Sequence, residues 1–101
     1  MISVIVTYKV KKDFVGRNKT NIQKFITDFE QLNTSLFQYN VFTKQDGITF
    51  VHHSLYKNED IQKDVLNTAS FVRFQKERDT LGLDEKPEIE FINLVAATKH
   101  Q

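Results

Sequence analysis

Residues 36–56 run Leu36-Phe37-Gln38-Tyr39-Asn40-Val41-Phe42-Thr43-Lys44-Gln45-Asp46-Gly47-Ile48-Thr49-Phe50-Val51-His52-His53-Ser54-Leu55-Tyr56, and the fold turns on how this stretch divides. Up to Thr43 the chain alternates, with Phe37, Tyr39 and Val41 on one side and Gln38, Asn40 and Phe42 on the other. Successive side chains leave opposite faces of a pleated backbone, so this period of two marks a strand. Asp46-Gly47 between two apolar runs signals a hairpin, because both residues tolerate positive φ. Ile48 to Tyr56 is therefore expected to return antiparallel to the first run.

Working outward, Ile2, Val4, Val6, Tyr8 and Val10 alternate with Ser3, Ile5, Thr7 and Lys9, which predicts a first strand over Ile2 to Val10. Val15, Ile22, Phe25, Ile26, Phe29 and Leu32 recur at three- and four-residue spacings, the stripe of an amphipathic helix of about five turns. Asp13 is placed to cap it, and Gly16 leaves its N-terminal boundary open. Beyond the hairpin, Asn58 is an N-cap for a short helix carrying Ile61 and Val65. Thr68 can cap a second segment bearing Phe71, Phe74 and Leu81 and ended by Gly82, unless the two form one kinked helix. After a linker around Pro87, the apolar run Ile89 to Ala97 completes the pattern, and 98–101 read as a frayed tail.

Strand, helix, strand, strand, helix, strand is the ferredoxin-like α+β order, a four-stranded antiparallel sheet with both helices on one face. The other face is apolar as well: Val51 with Leu55 stand opposite Phe50 with Ile48, and Ile92 with Leu94 opposite Phe91 with Val95. A sheet with one wet face alternates more cleanly, so the second face is expected to meet another copy of the chain in a homodimer.

Composition narrows the function classes. A chain of 101 residues, 40% hydrophobic and 27% charged, suits one domain over 1–101. Fourteen Lys plus Arg against thirteen Asp plus Glu leave a formal charge of +1, which argues against nucleic acid or an anionic membrane surface as partner. With no cysteine there is no thiolate metal site, disulfide or cysteine nucleophile. No apolar run approaches the roughly 20 residues of a membrane span, and Met1 leads straight into a strand, so the expected location is the cytoplasm.

Phe50-Val51-His52-His53-Ser54-Leu55-Tyr56-Lys57-Asn58-Glu59-Asp60-Ile61, followed by Asn67-Thr68-Ala69-Ser70-Phe71 and Phe74, resembles the antibiotic biosynthesis monooxygenase family of dimeric α/β-barrel proteins. The resemblance covers residues about 48 to 75, and the strand order extends it to the whole chain. It implies two ferredoxin-like protomers whose sheets join into a barrel. It also implies cofactor-independent oxygenation of an aromatic or polyketide-like small molecule, without metal or flavin. Where family members carry a histidine in the helix after the third strand, this chain has Val65, and Ala69-Ser70 stand in place of a Pro-His pair. Gln75 stands nearest the position of a haem-degrading relative's axial histidine, which speaks against haem.

Two sets of residues are candidates for chemistry. His52 and His53 point to opposite faces of a strand and cannot chelate one metal together; either is a general base or a hydrogen-bonded packing residue. No His-x-His or clustered carboxylate spacing suggests a metal site. Tyr39, Asn40, Tyr56 and Arg73 are candidates to position a phenolic or carboxylate ligand, the alternative being core aromatics and a solvated helix face. A non-catalytic dimer that binds a small molecule or a partner on the same scaffold remains the competing reading.

Overall fold

The computed structural model describes residues 1–98. Its elements are β1 (Ile2–Lys9), a 3-10 turn (Lys12–Phe14), α1 (Val15–Phe29), β2 (Phe37–Thr43), β3 (Thr49–Tyr56), α2 (Glu59–Leu66), α3 (Ala69–Glu77), a π-helical turn (Arg78–Gly82) and β4 (Glu88–Ile92). The sheet order is β2-β3-β1-β4 with every neighbouring pair antiparallel, the ferredoxin-like α+β arrangement expected from the sequence.

Register decides which side chains share a face. Val6 lies opposite His52, Tyr8 opposite Phe50, and Val41 opposite His52 from the other side. Tyr8, Val4, Phe50, His52, Tyr56, Tyr39 and Val41 therefore project to one side of the sheet. All three helices add buried residues to that side: Ile22, Phe25 and Phe29 from α1, Val65 from α2, Phe71 and Phe74 from α3. Burying each such Phe contributes about 1.5–3 kcal/mol, so this layer holds most of the hydrophobic stabilisation. Ile5, Val51 and Leu55 project from the opposite face, where they are half-buried and meet no helix core residue.

The hairpin forms for a reason that differs from the expected one. Only Gly47 adopts positive φ, at 75°, while Asp46 works through its carboxylate. Asp46 accepts from the Ile48 and Thr49 amides at 3.0 and 2.9 Å and from Thr49 Oγ1 at 2.6 Å. These bonds hold its carboxyl below the ordinary aspartate range. Asn58 caps α2 as expected, Oδ1 accepting from the Ile61 amide at 3.0 Å. Thr68 occupies the N-cap of α3 without a side-chain bond, and α2 and α3 are separate helices.

Other boundaries move. Asp13 lies inside the 3-10 turn and caps nothing, the cap position of α1 being Phe14. That helix stops at Phe29, and Leu32 sits exposed in the following turn. Leu81 falls in the π-helical turn and is exposed, because the wider winding carries it off the apolar stripe. Gly82 ends that turn against the Phe14 ring, leaving no room for a Cβ. The last strand ends at Ile92 instead of Ala97. Ile89 and Phe91 share the helix side by register yet are 65% and 73% exposed, since no helix reaches over this edge strand. The expected frayed tail lies, beyond Thr98, outside the described residues. No helix is long and apolar enough to cross a membrane among the described residues.

Candidate functional site

The sheet places a histidine between two tyrosines. Tyr8 is two residues beyond the β1 partner of His52, and Tyr39 two residues before its β2 partner, so both rings reach it along diagonals. Tyr8 Oη lies 2.7 Å from His52 Nε2, and Tyr39 Oη 2.7 Å from His52 Nδ1. From α1, Asn18 Nδ2 donates to Tyr8 Oη at 3.0 Å. Asn18 is 0% exposed, and its Oδ1 has no hydrogen-bond partner among the described residues. Arg78, at the start of the π-helical turn, lays its guanidinium 4.9 Å from the Tyr8 ring centre and 5.3 Å from that of Phe74. Its Nε donates to Asp79 Oδ1 at 2.9 Å.

Burial makes this chain of groups electrically neutral. Desolvation, with a smaller push from the Arg78 charge, drives His52 down to about 3. Desolvation raises Tyr8 and Tyr39 well above the usual phenol range. Phe25 packs on both Tyr39 and His52, at 5.5 and 6.2 Å between ring centres, and Phe74 stacks on His52 at 5.5 Å. An imidazolium in this shell would lack compensation, so His52 stays neutral at physiological pH.

Beside the chain, α1 and β2 enclose an open cavity of about 550 Å³. Ile22, Ile26, Val41 and Phe50 supply apolar wall and Gln23, Tyr39 and Thr43 polar groups, while Asn40, the register partner of His53, borders the cavity on edge strand β2 with its side chain directed to the opposite face. Lys19 is the single charged residue lining it among the described residues. Volume and mixed lining fall within the range of small-molecule sites.

The residues singled out from sequence are thus dispersed. Tyr39 lines the cavity, Asn40 borders it, and His52 stands behind Tyr39 with both ring nitrogens engaged. His53 projects from the other face, 3.5 Å from Ser3 Oγ. Tyr56 is buried at the far end of β3, opposite Ile2 and Phe37. Arg73 borders a separate recess of about 70 Å³ between α1 and α3. Asn18, Tyr8, Arg78 and Lys19 were not singled out for this site. One signal was available for Asn18: with Val15, Ile22, Phe25 and Phe29 it falls on the buried stripe, a polar residue where the pattern calls for an apolar one.

No family model matches the chain, and no curated protein matches it in sequence. Solved structures do match its fold. An antibiotic biosynthesis monooxygenase superimposes with a TM-score of 0.80 at 14% identity, covering 95% of this chain and 100% of that one. A protein from Mycobacterium tuberculosis gives 0.79 at 12% identity over 97% and 98%. A cofactor-independent oxygenase from Streptomyces nogalater gives 0.73 at 10% identity over 98% and 97%. The chain therefore has the fold of these proteins across nearly its whole length.

Proposed function

We propose that the protein binds a small aromatic or polyketide-like molecule in the cavity between α1 and β2, and that it does so as a homodimer. The observation that carries this reading is the cavity itself: about 550 Å³, with apolar wall from Ile22, Ile26, Val41 and Phe50 and polar groups from Gln23 and Tyr39. Dimerisation is supported by the helix-free sheet face, where Ile5, Val51, Leu55, Phe42 and Ile92 lie among polar neighbours. A second copy is the simplest partner for such a face, and a stable interface would bury roughly 1,200–2,000 Å². Native mass spectrometry of the purified protein tests both parts. A dimer carrying added mass is expected, whereas a bare monomer at micromolar concentration overturns the reading.

Cofactor-independent oxygenation of the bound molecule is the second reading, favoured by the cavity-lining Tyr39 with His52 bonded behind it and by the similarly folded oxygenase from Streptomyces nogalater. In that reading an activated ring CH2 of the substrate loses a proton, and the carbanion reacts with oxygen. The CH2 becomes a carbonyl and the second oxygen atom leaves as water, the substrate supplying all the electrons. Tyr39 would steady the substrate's anionic oxygen, while the apolar wall keeps bulk water from it. His52 and His53 have different standing: His52 has no free ring nitrogen, and His53 lies across the sheet from the cavity. Oxygen uptake with a panel of hydroquinones and anthrones separates the readings. Uptake lost in Tyr39→Phe supports oxygenation, and binding with uptake at the buffer level leaves a binding protein.

A further inference from the structure

The buried polar chain has a direction, and that direction decides what the cavity offers a ligand. An amide nitrogen only donates, so Asn18 Nδ2 makes Tyr8 Oη an acceptor and commits the Tyr8 proton to His52 Nε2. A neutral imidazole carries one ring proton, which then sits on Nδ1 and is donated to Tyr39 Oη. Tyr39, which lines the cavity, already accepts, and its own hydroxyl proton is left without a protein acceptor among the described residues. The opposite amide orientation would reverse every bond and strand the two N–H donors of Asn18 in a site that is 0% exposed. The observed orientation leaves the carbonyl oxygen and one N–H without a partner among the described residues, the smaller penalty because an orphaned buried N–H is rarer than an orphaned carbonyl oxygen.

We propose that Asn18 is a positioning residue that sets this direction, so that Tyr39 presents a hydrogen-bond donor to the cavity and the site selects an apolar molecule ending in an anionic oxygen. The selectivity rests on the reading of the cavity as a ligand site; the direction of the chain does not. Lys19, on the α1 side of the cavity, adds a positive charge that suits a carboxylate or phenolate and disfavours an ammonium group.

The first test needs no ligand. Nitrogen-15 NMR of the imidazole is expected to find His52 protonated on Nδ1 and bare on Nε2 in the wild-type protein. Protonation on Nε2 overturns the proposal. Asn18→Leu, of similar volume and with no donor, is expected to release the direction and give a mixture of tautomers, and an unchanged pure Nδ1–H form removes Asn18 from the role. If that variant does not fold, Asn18→Ala is expected to give a mixture of tautomers, and a pure Nδ1–H form would count against the proposal. The second test is calorimetric titration with 2-naphthoate, 2-naphtholate and 2-naphthylmethylammonium. Binding of either anion, weakened about tenfold by Tyr39→Phe, with the cation excluded, supports selection of an anionic oxygen, and the stronger anion tells carboxylate from phenolate. Equal binding of anion and cation overturns it. An Nδ1–H tautomer with no binding of any of the three sinks the ligand reading while the direction stands.

Discussion

His52 and His53 are neighbours in one strand and live in different media. His52 is enclosed by Tyr8, Tyr39, Phe25 and Phe74, with both nitrogens bonded. His53 stands on the opposite face beside Ile5 and Asn40, with only a long 3.5 Å contact to Ser3. The contrast extends to the whole sheet. One face is locked to three helices by interlocking aromatic rings, and the other carries moderate apolar side chains that no helix covers. Folding energy is concentrated on the first face, and the second leaves Ile5, Val51 and Leu55 half-buried.

Truncation of the ring cluster gives the largest expected difference between the two faces. Phe25→Ala removes contacts to Phe29, Tyr39, Phe71 and Phe74 and is expected to cost about 3–5 kcal/mol in urea denaturation. Leu55→Ala on the other face is expected to cost less than about 1 kcal/mol of protomer stability. Equal losses would break the comparison.

Acid titration comes next. Folded His52 resists protonation down to about 3, whereas in the unfolded chain it takes a proton near its ordinary value of 6.5. The unfolded state therefore binds more protons across this window. Stability is complete above about 6.5 and falls by about 1.4 kcal/mol for each unit of acidification toward 3. His52→Gln is expected to flatten that slope in denaturation curves collected across the window. A slope that survives His52→Gln would assign it to other groups.

A smaller effect separates the hydroxyls. Tyr8→Phe leaves His52 Nε2 and Asn18 Nδ2 without their partner and is expected to cost about 1–3 kcal/mol. Ser3→Ala, at the long contact to His53, is expected to stay within about 0.5 kcal/mol. The smallest effect is at the hairpin, outside both faces. Because folding lowers the Asp46 carboxyl, its stabilisation is present above the ordinary aspartate range and disappears as pH falls through the lowered value. Asp46→Asn should slightly reduce the thermal midpoint at neutral pH and make no difference in strong acid.

Much of this was legible in the chain. The alternation of Ile2 to Val10 and the Asp46-Gly47 signal place three strands correctly, because pleat and turn chemistry act over a few residues. The Asn58 cap is equally local. Leu81 and the run from Asn93 to Ala97 were misjudged, since apolar character records what could be buried and not whether anything arrives to bury it. Tyr39 was visible as a polar group within strand-like sequence and lines the cavity, while Asn40 borders it only from the edge strand, its side chain on the face of His53. Arg73 and Tyr56 were grouped with them, but helix rotation and strand register carry those two elsewhere.

Sequence by itself determined the element order, the pleat that sends His52 and His53 apart, and the aromatic supply for one core, because period and capping depend on near neighbours along the chain. Only the tertiary structure decided that Asn18, Tyr8, His52 and Tyr39, drawn from four elements, form one hydrogen-bonded chain. The reason is that strand order and register set distances between residues far apart in sequence, and the burial that follows fixes whether an imidazole is a base or a neutral link.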